Sequence, residues 1–119
     1  MAQESLLDIS VEGDVTIVSL DTASISAAGV EPIAQSLRTL ITDRQPAKIV
    51  VDFTRVRFIS SMMLGLLVDC WRRMKEYGGT LCICGIDPQL SRIFRITHLD
   101  KIFRFCPDVP AAVRALKTQ

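Results

Sequence analysis

The chain has 119 residues, 49% of them hydrophobic and 23% charged, the usual balance of one globular domain. This excludes disorder, collagen-like repeats and a disulfide-dense mini-protein, and no apolar run approaches the ~18 residues of a membrane span. A formal net charge of +1 argues against a dedicated nucleic-acid binder, whose footprint is a strongly basic domain.

The first predicted element is a strand from Leu6 to Ser10, then a turn at Glu12-Gly13-Asp14 and a second strand from Val15 to Leu20. Val30, Ile33, Ala34, Leu37, Leu40 and Ile41 fall on one helical stripe. Pro32 fits only a first turn, so this helix is expected to start between Ala28 and Glu31. Lys48 to Phe53 is a short branched run between helices, the pattern of a buried strand. A second helix is expected from Ser61 to Glu76, ended by Gly78-Gly79. Thr80 to Cys84 reads as another buried strand. Asp87-Pro88 reads as an N-cap followed by a first-turn proline, with Leu90, Ile93 and Phe94 facing inward. Ile102 to Phe105 is a candidate short edge strand. Asp108 caps a fourth helix, with Val109, Ala112, Val113 and Leu116 inside. The order predicts a single α/β domain over residues 1–119, with a mixed four- to five-stranded sheet covered by about four helices.

Residues 1–37 hold six carboxylates and no Lys or Arg, so all 14 basic residues lie from Arg38 onward. The two stretches are expected to interleave in space. The start of the chain lacks the positive charge of a signal peptide. Cys70, Cys82, Cys84 and Cys106 are therefore expected to be reduced thiols in a cytoplasm.

No pattern for an enzyme emerges. The one histidine, His98, has no partner for base catalysis, and GxSxG, Walker A and GxGxxG are all missing. Catalytic residues, metal and cofactors are each expected to be none. Cys82-x-Cys84 puts two thiols on one face of a strand, but the usual zinc pattern is a pair of CxxC clusters. A core role is the simpler account of both.

The informative segment runs from Val56 to Leu67. Ser60 and Ser61 stand at the start of the second helix, and either hydroxyl can cap it. A helix N-terminus also favours negative charge. The expected inner stripe is Leu64, Leu67, Val68, Trp71 and Met74, leaving Met62, Gly65, Asp69, Arg72 and Glu76 outside. Met62 beside a bare Gly65 would make an adaptable docking surface. A register off by one residue would bury Met62 instead.

These pieces, in this order, resemble the STAS domain, the fold of bacterial anti-sigma-factor antagonists. The resemblance is carried by the strand IVVDF, by Phe58-Ile59-x-Ser61, by Leu64-Gly65-x-Leu67 and by Gly78-Gly79. It continues through the strand Leu81 to Cys84, Gly85-Ile86-x-Pro88, Ile93-Phe94 and Leu99 to Phe103. The family pattern at the second helix is Asp-Ser-Ser/Thr-Gly-Leu-Gly, and its first serine is the phosphoacceptor. Here Ser60 holds the aspartate position and Ser61 the acceptor position, with Ser60 a rival acceptor. Met62 and Met63 follow, and Leu64 and Gly65 match. His98 replaces a frequent glycine.

The resemblance implies a non-enzymatic cytoplasmic regulator of sigma-factor-dependent transcription. Unphosphorylated, it would bind an anti-sigma factor that is also a serine kinase, through Ser60, Ser61, Met62, Met63, Gly65 and Asp69. ATP would belong to that partner. No direct nucleic-acid or membrane contact is expected, and the chain would be a monomer or weak dimer. A second reading is a constitutive STAS docking subunit or scaffold, as an ABC-transporter accessory or in a signalling assembly. A third is a small-ligand or nucleotide sensor using the same loop.

Overall fold

The computed structural model describes residues 8–21, 25 and 29–117. A hairpin of β1 (Asp8–Glu12) and β2 (Val15–Asp21) leads to α1 (Val30–Arg44), β3 (Lys48–Arg55) and α2 (Ser61–Lys75). β4 (Thr80–Cys84), α3 (Pro88–Ile96), a 3-10 turn at Leu99–Lys101, β5 (Arg104–Cys106) and α4 (Val109–Lys117) complete it. The five strands lie in sequence order, β1 antiparallel to β2 and each later neighbour parallel. Each parallel step carries a helix, because a parallel neighbour cannot be reached by a tight turn.

The period of two in the strands makes two cores. Val18, Leu20, Ile49, Val51, Phe53, Leu81 and Ile83 face α1, α2 and α3. Val15, Ile17, Val50, Cys82 and Cys84 face the opposite way and are covered by Ala112, Val113 and Leu116 of α4. Burying a side chain such as Leu116 stabilises by about 1.5–3 kcal/mol, so α4 is an integral layer and no mere tail. Asp87 and Asp108 cap their helices as expected. Their carboxylates accept from the N–H groups of Leu90 and Ala111, each at 2.9 Å.

Three boundaries differ from the sequence expectation. β1 runs from Asp8 to Glu12, two residues later than predicted; Leu6 and Leu7 lie outside the described residues. Glu12 pairs with Val15, so the turn is only Gly13-Asp14. β5 begins at Arg104 because Ile102 and Phe103 are drawn into the preceding turn, both N–H groups donating to Leu99 O. The inner stripe of α2 is Met63, Leu66, Leu67, Cys70 and Met74, while Leu64, Val68 and Trp71 flank it half-buried. α2 stops at Lys75, and Gly79 N–H closes its end on Met74 O at 2.7 Å.

The acidic start and basic remainder do interleave. Asp14 pairs with Lys48 (3.0 Å), Asp21 with Arg55 (3.7 Å) and Glu31 with Arg38 (3.6 Å). Such pairs at the surface each contribute little to stability.

Two backbone positions generate predictions. Gly85 has φ +73°, and a Cβ there would overlap the Thr54 hydroxyl and lie 2.9 Å from Asp52 Oδ1. Gly85→Ala is expected to cost about 2 kcal/mol or more in urea unfolding, and a loss below ~1 kcal/mol would show that the site relaxes. His98 has φ +63° and ψ +15°, a left-handed conformation that costs an ordinary residue roughly 1–2 kcal/mol. His98→Gly relieves this but adds ~0.4–1 kcal/mol of chain entropy to the unfolded state. The net expectation is a gain of up to about 1 kcal/mol, read by the same denaturant midpoint.

Candidate functional site

The segment between β3 and α2 brings the chemistry-bearing side chains to one end of the sheet. Val56 is buried, and its N–H donates to Phe53 O at 3.0 Å, which pins the chain where the strand ends. Ser60 then takes an extended conformation (φ −97°, ψ 165°) and caps α2. Its Oγ accepts from Met63 N–H at 3.2 Å, and its carbonyl accepts from Leu64 N–H at 3.0 Å. Of the two serines, Ser60 is the one that does the capping. Ser61 occupies the first helical position and is exposed at the positive end of the helix dipole.

An apolar patch adjoins it. Met62 is 60% exposed and Phe58 is 75% exposed. Gly65 is also exposed, and a Cβ on it would meet nothing within 4 Å. Helical spacing sets Met62 and Gly65 side by side, one turn apart. Five large hydrophobic side chains are exposed among the described residues, and two of them, Phe58 and Met62, lie within this one segment. Ile9 and Val11 on β1 make the other close pair; at the start of α2 the exposed pair flanks the exposed Ser61.

Met63 does not belong to the surface. It is 2% exposed and packs in the core beneath α2, because the helix register set by the Ser60 cap turns position 63 toward the sheet. Its assignment to a partner surface is corrected accordingly. Asp69 lies half-buried further along α2, with one carboxylate oxygen 3.1 Å from both Arg38 Nε and Arg73 Nε. Burial pushes the Asp69 pKa up, but the hydrogen bonds from Arg73 and Arg38 outweigh it and hold the group below the usual carboxylate value. Its charge ties α2 to α1. Phe58 was missed by the sequence reading. The signal available was an aromatic residue two positions before a capping serine, outside any apolar periodicity.

The other chemical candidates lie elsewhere. His98 is exposed beyond the end of α3. Cys82 and Cys84 share one face of β4 and are both fully buried. Burial, with some help from Asp52, pushes the Cys84 thiol up to about 12, and burial does the same to Cys70. Neither is a thiolate at neutral pH. Among the described residues, no group of three or more His, Cys, Asp or Glu side chains is placed to hold a metal ion. No helix of the described residues is long and apolar enough to cross a membrane.

Comparison with known proteins bears on the family and the fold. BtrV of Bordetella bronchiseptica, named for a role as an anti-sigma factor antagonist, is 26% identical over 94 residues. The match covers 79% of this chain and 80% of BtrV. A crystal structure from Thermotoga maritima, of a protein named for the same role, superposes with a TM-score of 0.81 at 16% identity, covering 98% of this chain and 99% of that one. An anti-sigma-factor antagonist (STAS) domain protein from Planctomyces limnophilus gives 0.78 at 24% identity, covering 93% and 97%. The STAS domain family itself matches residues 7–112, from the opening hairpin into the last helix, and so the chain belongs to the STAS domain family.

Proposed function

We propose that this protein is an anti-sigma-factor antagonist that docks the N-terminal end of α2 onto an anti-sigma factor with serine kinase activity, and that phosphorylation of Ser61 releases it. It acts as a binding partner and not as an enzyme, in the cytoplasm, and the ATP is bound by the kinase. The observation that carries this reading is the division of labour between the two serines. Ser60 Oγ is engaged in the cap, while Ser61 is exposed beside Phe58 and Met62. The similarity to BtrV supports the same role.

The physical logic of the switch is asymmetric. A phosphate on Ser61 adds about −1.5 to −2 charges at pH 7. At a helix N-terminus that charge is favourable, typically by ~0.3–1 kcal/mol, so the fold tolerates it. An apolar partner surface does not, because closing over Phe58 and Met62 would strip water from a dianion. Released sigma factor would thus be recaptured when the antagonist is phosphorylated.

A second reading has one observation in its favour. Ser60 stands where the antagonists this chain resembles carry aspartate, and it serves as a cap without a charge. A constitutive docking subunit would keep the apolar patch and never be modified. A stable complex with an ATPase subunit, in which Ser61 is never labelled, would favour it.

Two measurements test the proposal. Ser61→Asp is expected to abolish binding to the anti-sigma kinase while the circular dichroism spectrum stays native. Ser61→Ala should bind normally and resist phosphorylation; with the cap on Ser60, its stability should change by no more than about 0.5 kcal/mol. Modification mapped only to Ser60, or tight binding by Ser61→Asp, would refute the assignment. Separately, Met62→Asp and Phe58→Asp should each weaken binding at least tenfold, about 1.4 kcal/mol, in calorimetry. Their melting temperatures should hardly move, since both side chains are mostly exposed. A large fall in melting temperature would instead show that these residues support the fold.

A further inference from the structure

Away from the α2 end, three of the four thiols gather on the α4 side of the sheet. Cys82 and Cys84 point there from β4, and Cys106 closes the neighbouring edge strand β5. Cys106 is in register with Cys84, yet the thiol that bonds to it is Cys82. The Cys82 thiol donates to the Cys106 sulfur at 3.5 Å, whereas the Cys84 thiol is turned to Asp52 Oδ1 at 3.8 Å. Exposure separates the four as well. Cys82 and Cys84 are 0% exposed, and Cys70 is 2% exposed within the other core. Cys106 alone is only half-buried. It closes the three-residue edge strand β5 on the α4 face, where the sheet has no further strand to cover it.

We propose that Cys106 and Cys82 form a peroxide-sensitive modification site, in which Cys106 is oxidised at the open edge of the sheet and Cys82 resolves it to an intrachain disulfide. The geometry is that of an accessible thiol backed by a shielded one. In the first step the Cys106 sulfur attacks one oxygen of a hydroperoxide and the O–O bond breaks. The departing oxygen takes the thiol proton, leaving Cys106 sulfenic acid and water or an alcohol. In the second step the Cys82 sulfur attacks the Cys106 sulfur and the S–O bond breaks. The leaving hydroxide takes the Cys82 proton and departs as water. Two thiols are oxidised and one peroxide is reduced.

Full burial keeps peroxide away from Cys82 and raises its pKa; what lets it act on Cys106 is the 3.5 Å separation of the two sulfurs. The two sulfurs must close from 3.5 Å to roughly 2.05 Å, and because Cys82 is paired with Arg104 the strands must also shift to bring the diagonal Cα atoms within about 7 Å. β5 can supply that movement, because it has three residues and a strand on one side only. The product would fasten β5 to β4 and enclose α3 in a covalent loop.

The test uses the folded full-length chain treated with a modest excess of hydrogen peroxide. Remaining thiols are then alkylated in denaturant, and the protein is digested with trypsin and sequenced by mass spectrometry. The expected result is a loss of two thiols per chain, reversed by dithiothreitol. The tryptic peptide 76–92 should be joined to peptide 105–114, with fragment ions between positions 82 and 84 placing the bond on Cys82. Cys106→Ser should keep all its remaining thiols at the same dose. Cys82→Ala should stop at a dimedone-reactive sulfenic acid on Cys106. The wild-type peptide map stands even if Cys82→Ala fails to fold. Four free thiols after treatment, a bond to Cys84, a bond between two chains, or first oxidation at Cys70 would each overturn the proposal.

Discussion

The burial of β3 on both faces is the constraint from which the architecture follows. Ile49, Val51 and Phe53 need cover on one side and Val50 on the other, all of them at 1% exposure or less. No single layer of helices can satisfy both. The chain answers with α1, α2 and α3 on one face and α4, the last element, on the other. A parallel strand at the centre also forces its neighbours to arrive through helical crossovers, so the alternation of strands and helices is a consequence of where β3 sits.

That arrangement separates stability from recognition. The start of α2 emerges just beyond the C-terminal end of β3, where the sheet stops and the core ends. Met63 and Leu67 anchor the helix beneath, and the Asp69 carboxylate, held between Arg38 and Arg73, fixes it to α1. The exposed side of the same turn is left with few obligations to the fold. Ser61, Met62 and Gly65 are exposed there and can be changed with little penalty in packing. The cap is the hinge of this division. Because Ser60 satisfies the Met63 N–H, the hydroxyl next to it has no structural duty. An aspartate at the same place would cap equally well and add negative charge near Ser61. The serine found here leaves that corner neutral.

The thiols follow the same logic on the opposite face. Cys82, Cys84 and Cys106 are small apolar fillers where α4 crosses the sheet, and burial raises the two on β4. Only the edge position of β5 lets one of them meet solvent. Edge strands are where a sheet contacts its surroundings, and here the contact is a sulfur atom backed by a second one.

Much of this fold was legible in the sequence because local rules agree with one another. The stripe in α1, the Asp87-Pro88 and Asp108 caps, the branched runs of β3 and β4 and the order of elements are all set by spacing within a few residues. Membership of the STAS domain family was legible too, since Phe58 to Gly65 and Gly78 to Pro88 hold their order along the chain. What the sequence could not settle depended on hydrogen-bond geometry without a periodic signal and on contacts between strands. Whether Ser60 or Ser61 caps α2 turned on which hydroxyl reaches Met63 N–H, and the same helical register decided that Met62 faces out and Met63 in. β5 moved because Leu99 O captured the N–H groups of Ile102 and Phe103, a turn with no periodic signal. Cys106 meets Cys82, 24 positions away in sequence and diagonal to it in the ladder, although its register partner is Cys84. Periodicity states which face a side chain takes, but only the packed sheet states what that face meets.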